Sequence, residues 1–436
     1  MSSRSLHSIG SGGGTRFLRG ALLLLAAAAG GLNAAPVAAV HALAQRETSA
    51  LLTTLSEIVA IESGSRDLEG LARLTDLIAT RLKALGGTVE LISSGTDVYK
   101  MQDTPDELGR TVCATFTGTG KTTILLLAHM DTVYPRGSIA KQPFRIDGNR
   151  AYGLGIADDK QGVALILHVV AMLRELKVRD YGTLTVLING DEELSSPGSR
   201  ALITRLGAGH DAVLSFESSL VDADKLALAT SGIASFHLTV KGRGSHSGSS
   251  PERGVNALVE LSHQILQTRD LSEPKFGLKM NWTQAHAGIA RNMIPPEATA
   301  HADVRVLRVA DYARIEEKVR EKIKNQLLPQ SEVEFSFEQR RPPLEPTPAS
   351  RLLGEHAQMI YRELGLELIV DDVAEGGGTD AAFAALNAKG PVVERLGLRG
   401  YGAHSTNDEY VLIDSIEPRL YLTARLISDL AQGKVK

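Results

Sequence analysis

The sequence predicts an α/β protein with a mixed sheet, interrupted by a smaller α+β insertion, and three patterns carry that reading. Short apolar runs of strand length, such as Thr183 to Ile188, alternate with helical apolar spacing in the first half of the chain and again near its end. The run Val186 to Ile188 stops abruptly at Asn189-Gly-Asp-Glu-Glu193, which puts three acids at the carboxyl end of a buried strand. In open α/β sheets that edge is where ligands bind. From about Ser231 the order becomes strand, helix, strand, strand, helix, strand, the pattern of a small antiparallel sheet with two helices.

The chain has 436 residues, 43% hydrophobic and 22% charged, enough apolar material for two or three domains. Residues 1–44 differ in kind. They hold Arg4, Arg16 and Arg19, no acid, and the apolar run Ala21 to Ala29 followed by Gly30-Gly31. That run is shorter than the roughly 20 apolar residues a spanning helix needs, so it reads as a secretory signal peptide, with an uncleaved anchor as the alternative. Ala42-Leu43-Ala44 before Gln45 fits a small-x-small cleavage site, as does Val37-Ala38-Ala39. No arginine pair precedes the run, which favours the general export route. Removing three of the 47 basic residues leaves 44 against 51 acids, a net of −7. This mildly acidic balance gives no reason to expect nucleic acid, nor a membrane once the signal is cleaved. Cys113 is the single cysteine, so neither an internal disulfide nor a thiolate cluster can form, and it reads as a small core residue.

In chain order, Thr48 to Ala60 and Gly70 to Leu85 have helical spacing, and Val89 to Ile92, Thr111 to Phe116 and Thr123 to Ala128 read as strands. The link Gly118-Thr-Gly-Lys-Thr122 lacks the phosphate-loop spacing and reads as a hairpin turn. Strand Ile124 to Ala128 runs into His129-Met-Asp131, and Tyr152 to Gly162 brings Asp158 and Asp159 to the start of helix Val163 to Leu176. The Gly153-x-Gly155 spacing there is only half a dinucleotide fingerprint. A helix near Ser199 to Leu206 leads to strand Ala212 to Phe216 and Glu217. The insertion reads as Ile233 to Lys241, helix Gly254 to Gln267, strands Trp282 to Ile289 and Thr299 to Leu307, helix Asp311 to Leu327, and strand Val333 to Phe337. Arg341-Pro-Pro-Leu-Glu-Pro-Thr-Pro348 is a stiff return, followed by helix Ala349 to Leu364, the loop Glu375 to Asp380, strand Val392 to Arg395, Ala403-His404-Ser405 and helix Arg419 to Leu430. The domains so read are 1–44 (signal), 45–230 with 343–436, and the insertion 231–342.

Strand ends and their loops thus gather His129, Asp131, Asp158, Asp159, Asp191, Glu192, Glu193, Glu217 and His404. Imidazoles and carboxylates without thiolates suit zinc or a similar divalent ion in a catalytic setting. Two histidines and three carboxylates exceed the needs of one tetrahedral ion but suit two ions sharing a carboxylate, roughly 3.5–4 Å apart. Such a site also needs an uncommitted carboxylate to move the proton from water to a leaving amine, and Glu192, beside Glu193, is placed for that.

The motifs His129-Met-Asp-Thr, Gly155-Ile-Ala-Asp158-Asp-Lys, Asn189-Gly-Asp-Glu-Glu193, Ser215-Phe-Glu217, Gly244-Ser-His246-Ser-Gly, Gly376-Gly-Gly-Thr-Asp380 and Ala403-His404-Ser together resemble the co-catalytic di-zinc metallopeptidase family. Its members include aminoacylases, acetylornithine deacetylases and succinyl-diaminopimelate desuccinylases, and the similarity is nearest to the bacterial folate-hydrolysing glutamate carboxypeptidases. The resemblance implies a mixed-sheet zinc-exopeptidase catalytic domain with an inserted ferredoxin-like dimerisation (lid) domain. It implies two Zn2+ per subunit, with Co2+ or Mn2+ as substitutes. Asp158 would bridge them, His404 and Glu193 would complete one site and His129 and Glu217 the other. Glu192 would be the general acid/base, Asp131 would orient His129, and the Asp158-Asp159 peptide would be cis. His246 would reach across a homodimer to stabilise the oxyanion in the partner's site, while Asn292 and Arg305 would hold the substrate's carboxylate. Read without the resemblance, His246 is an exposed turn residue, Arg305 pairs with Asp303, and His168 is a packed residue. Gly377 to Thr379 would shape the pocket floor.

The activity implied is that of a periplasmic or secreted zinc exopeptidase releasing a C-terminal amino acid, preferably glutamate, from N-acyl, peptide or pteroyl (folate-like) substrates. Two alternatives stand beside it: an aminoacylase, deacetylase or dipeptidase with the same chemistry, and an inactive relative that only binds peptides or amino acids.

Overall fold

A computed structural model describes residues 35–95 and 97–435, so most of the expected signal peptide lies outside the described residues. Helix α1 (Ala38–Val59) runs across the junction at Ala44, and Val40, Leu43 and Ala44 are buried in the main core. Just before it, the Val37 amide donates to the Tyr421 hydroxyl at 2.9 Å. Cleavage after Ala44 would cut through this helix and strip three side chains from the core. The expected boundary at residue 44 thus falls within α1, and the one at Val37-Ala38-Ala39 falls in its first turn.

Helix α2 (Leu68–Ala84) is set by its ends. The Asp67 carboxylate accepts from the Gly70 amide at 2.9 Å, Glu69 lies in the first turn, and Arg81 and Lys83 lie in the last, each matching the helix dipole. Helix α3 (Gln161–Glu175) is apolar almost all round because it lies between α1 and the C-terminal α9 (Ile416–Ala431). His168, on α3, is satisfied by Thr54 at 2.9 Å and Glu47 at 2.7 Å, as a packed residue should be.

The central sheet has the order Thr88–Ile92, Thr111–Thr117, Thr183–Asn189, Thr123–His129, Ala212–Ser215, Val392–Val393. The last four strands are parallel and the first two antiparallel, which makes the sheet mixed. The expected hairpin at Gly118–Thr122 does not form, because Thr183–Asn189 lies between the two strands it would join. The link folds instead onto the approach to that middle strand, with Gly118 N on Gly182 O and Gly120 N on Tyr181 O. A Cβ on Gly120 would stand 1.6 Å from Asp180 O, so only glycine fits there. Cys113, half-buried, packs against the sheet's second apolar cluster.

The insertion forms a four-stranded antiparallel sheet in the order Lys279–Ala287, Glu297–Val306, Gly232–Lys241, Glu332–Arg341. Ala234, Phe236, Leu238 and Val240 alternate onto the face covered by α5 (Ala257–Thr268) and α6 (Ala310–Lys322), and Asp303 and Arg305 lie on the other. Helix α6 stops at Lys322, short of the expected Leu327. The described residues cluster as one unit, so the insertion is a lobe of that unit. The chain returns through Pro342-Pro343 to α7 (Pro348–Glu363), which has a Thr347/Ser350 capping box. No helix among the described residues is long and apolar enough to cross a membrane.

Candidate metal centre

Parallel register brings His129 level with Asn189, so His129-Met-Asp131 and Gly190 to Glu193 leave the sheet side by side. From the neighbouring strand Glu217 follows Ala212–Ser215. Asp158 comes from the turn before α3, and His404 from the loop before Tyr410–Leu412. These residues, dispersed over nearly 280 positions of sequence, converge at one carboxyl edge.

His129 Nε2 lies 3.0 Å from Asp158 Oδ1 and 3.5 Å from Glu217 Oε1. His404 Nε2 lies 3.2 Å from Asp158 Oδ2 and 3.2 Å from Glu193 Oε2. Each oxygen of Asp158 therefore faces a different histidine. Donor atoms within 4.8 Å of one another form two trios, His129–Asp159–Glu217 and Asp158–Glu193–His404. Asp159 and Asp158 thus compete for the first trio, and local bonding favours Asp158. The buried Asp159 carboxylate already accepts from Gln161 Nε2 at 2.7 Å and lies 3.4 Å from the His129 amide, whereas Asp158 faces both imidazoles. The Asp158-Asp159 peptide is cis.

Electrostatics show what this cluster is suited to hold. Burial by itself would lower the His129 imidazole, yet hydrogen bonds to Asp131, Asp158 and Glu217 hold it well above its ordinary value. Asp158 and Glu193 push His404 up to about 11, against its partial burial. Burial raises Glu193 to about 7, with Asp158 adding repulsion. Glu193 Oε1 is buried without a hydrogen-bond partner. Crowded carboxylates, two imidazoles pressed against them and an orphaned oxygen are the marks of a site suited to divalent cations, and oxygen and imidazole donors match zinc-like ions.

Asp131 is fully buried and does more than orient a ring. Its oxygens accept from the Glu192 amide at 3.0 Å, the Glu193 amide at 3.1 Å and the Ser65 hydroxyl at 2.8 Å. His129 Nδ1 is nearer the Asp131 backbone oxygen, 3.1 Å, than its carboxylate, 3.4 Å. Asp131 thereby fixes both glutamates and one histidine together.

Glu192 turns away from the trios toward the insertion. Its Oε1 meets Arg341 Nη1 at 2.8 Å, and Arg341 also binds Asp380 Oδ1 at 2.7 Å and the Glu192 backbone oxygen at 2.7 Å. Asp380 in turn accepts from Asn189 Nδ2 at 2.7 Å and from the Ser196 hydroxyl. Burial pushes the Glu192 carboxyl well above its ordinary value and Arg341 opposes it. Loss of one member of such a buried pair typically costs about 3–5 kcal/mol. Arg341 closes the insertion's last strand, and sequence reasoning treated it only as the start of a linker. A charged residue ending an alternating strand immediately before two prolines was the available signal. Glu409 was missed as well: buried, it accepts from the Gly155, Ala157 and Asp158 amides at 2.8, 2.8 and 3.2 Å and from Tyr134 at 2.7 Å, so it shapes the turn that carries Asp158.

Other expected residues lie apart. His246 is exposed at the lobe's tip, where its Nδ1 accepts from Gly248 and Ser249, both at 3.1 Å. Asn292, also exposed, abuts it through the Ser247 N to Asn292 O bond of 3.0 Å. Arg305 grips Asp303 with two 2.9 Å bonds and reaches Gly376 O at 3.1 Å, which touches the loop leading to Asp380.

A family model described as peptidase family M20/M25/M40 matches residues 125–429. The chain belongs to this family. As an M20 chain it is a metal-dependent peptidase. It is 44% identical over 388 residues to Carboxypeptidase G2 of Pseudomonas sp. (strain RS-16), covering 89% of this chain and 91% of that one. Acetylornithine deacetylase of Edwardsiella ictaluri is 28% identical over 401 residues, 88% and 96% of the two chains. Among solved structures the M20 fold is matched by the aminopeptidase PepT of Bacillus cereus (TM-score 0.72, 21% identity, 88% of this chain and 99% of that one) and by the metallo-carboxypeptidase Sso-CP2 of Sulfolobus solfataricus (TM-score 0.68, 17% identity, 88% and 99%).

Proposed function

We propose that this M20 chain is a zinc carboxypeptidase, releasing a C-terminal amino acid, preferably glutamate, from N-acyl or pteroyl substrates. One observation carries the reading: Asp158 offers one oxygen to each of two histidines, while Glu192 stands beside the cluster paired to Arg341 rather than to an imidazole. His129, Asp158 and Glu217 would hold one ion and His404, Asp158 and Glu193 the other. When bound, two zinc ions supply polarisation of the scissile carbonyl and acidification of water.

The chain's own groups do the rest. Glu192 takes the water's proton and delivers it to the departing nitrogen, and its raised affinity for a proton suits both tasks. Arg341 and Asp131 keep Glu192 in place from its side chain and its amide respectively. Arg305 is preset by Asp303 and Gly376, which occupy three of its five N–H donors, and the outer two are left to clasp a carboxylate, with Asn292, at the far end of the lobe's sheet, joining it only from a second copy of the chain. A homodimer is supported by the exposed edge strand Lys279–Ala287 and by exposed Leu258, Val259 and Leu266 on the adjacent α5. Across that dimer His246 would serve the partner's site as oxyanion donor. An export leader within the first 44 residues would deliver the protein to the periplasm or the exterior.

The test is a hydrolysis panel on zinc-loaded protein after metal analysis. Two ions per chain and turnover of pteroyl- and N-acyl-glutamate, well above N-acetylornithine and plain dipeptides, is the expected result. Preference for N-acetylornithine would favour the deacetylase reading, and metal loading without any turnover would leave only a binding protein.

A further inference from the structure

A cavity of about 670 Å3 opens at the seam between the main body and the inserted lobe, and Arg341 forms part of its wall. The body contributes Tyr99, Arg200 and Phe383, and the lobe contributes Tyr312, Arg341 and Pro342. Neither Glu192 nor any of the five candidate metal ligands lines it, so the cavity stands apart from the metal centre. Its size is in the range of cavities that enclose small organic ligands.

Arg200 is the unusual member of this wall. Its guanidinium carbon stands 4.0 Å from the centre of the Tyr99 ring and 4.8 Å from that of Phe383. Arg340 and Arg341 are each held by two carboxylates, whereas Arg200, among the described residues, has none within ion-pair distance. It donates to the backbone oxygens of Ser195, Ser196 and Arg340 and to the Met101 sulfur, and its Nη1 reaches only Gln339 O, at 3.5 Å. Burial pulls this cation down to about 10, as expected where no anion compensates it. Among the described residues Asp97 is the one acid in the lining, against three arginines.

We propose that this seam cavity binds a small planar aromatic carboxylate, its ring against Tyr99 and Phe383 and its carboxylate on Arg200 Nη1, and that occupancy reaches Glu192 through Arg341. The spare donor selects an anion, and the two rings select a flat partner. Arg341 lies 5.7 Å from the centre of the Phe383 ring, and its Nε is buried without a hydrogen-bond partner. The side chain that holds Glu192 thus keeps one donor unused. An anion in the cavity competes with Glu192 for that guanidinium, so occupancy slows turnover without touching the substrate's own contacts. This coupling rests on the role given to Glu192 above, and the binding does not.

The probe is benzoate, with benzamide as its neutral counterpart, titrated by calorimetry into the metal-loaded protein. Ala201→Trp, at an exposed position in the first turn of the helix Arg200–Gly209, puts an indole into the cavity, and Ala201→Glu offers Arg200 a carboxylate of its own. Benzoate should bind the wild type about tenfold or more tightly than it binds either variant, and than benzamide binds the wild type. It should lower the wild-type kcat on an N-acyl-glutamate by about twofold or more with KM unchanged, while both variants keep the basal kcat and KM and ignore benzoate. Absence of benzoate binding at about 10 mM, equal binding by the variants, or equal binding of benzamide overturns the site. Binding that is sensitive to Ala201 but leaves kcat unchanged, or that raises KM alone, overturns the coupling through Arg341. No turnover in the wild type, with binding still sensitive to Ala201, overturns the carboxypeptidase reading and upholds the cavity.

Discussion

The carboxyl edge of the central sheet and the tip of the inserted lobe hold their polar side chains in opposite ways. At the edge, His129, Asp131, Glu192 and Arg341 are buried and each has its partners in place within one chain. At the tip, His246 and Asn292 are exposed and bonded only within the two turns that meet there, near Ile289, which is 86% exposed. One region is bonded throughout by buried partners, and the other presents its polar groups to solvent. The contrast teaches where preorganisation ends: parallel strands in register can fix a cluster to tenths of an ångström, whereas a turn on a lobe needs a neighbour to fix it.

This contrast can be broken or sharpened by substitution. The largest effect is expected at the edge, where Glu192→Ala should lower kcat by about 10³-fold with bound metal unchanged, checked by steady-state rates and metal analysis. Next comes the tip. His246→Ala should lower kcat by about 10²-fold, and mixing it with Glu192→Ala should restore part of the activity, since one hybrid site keeps both groups. Failure of mixing to restore activity, in protein shown by ultracentrifugation to exchange subunits, would place His246 in its own chain's site and abolish the contrast. The smallest effect is expected behind the cluster: Asp131→Asn should weaken metal binding by roughly 10–100-fold, measured by chelator competition, while sparing the fold.

Much of this was legible in the sequence because strand ends are local signals. An apolar run that stops at His129 or at Asp191 announces both the strand and its edge, and the insertion's alternation marked a second sheet. What the sequence hid was long-range pairing. The order of the central sheet, with Thr183–Asn189 between two consecutive strands, depends on Gly118 and Gly120 packing against residues some 60 positions away. Arg341 and Glu409 were invisible for the same reason, since each acts on residues far along the chain. The leader boundary was open to more than one reading because alanine-rich sequence serves a cleavage site and a helix start equally well.

Helix α1 lies against α9, with the Val37 amide and Tyr421 hydroxyl joined across 384 positions. Among the described residues α1 therefore has to wait for a helix more than 350 positions later before its apolar stripe is covered. The core that joins these two helices can close only after α9 has left the ribosome.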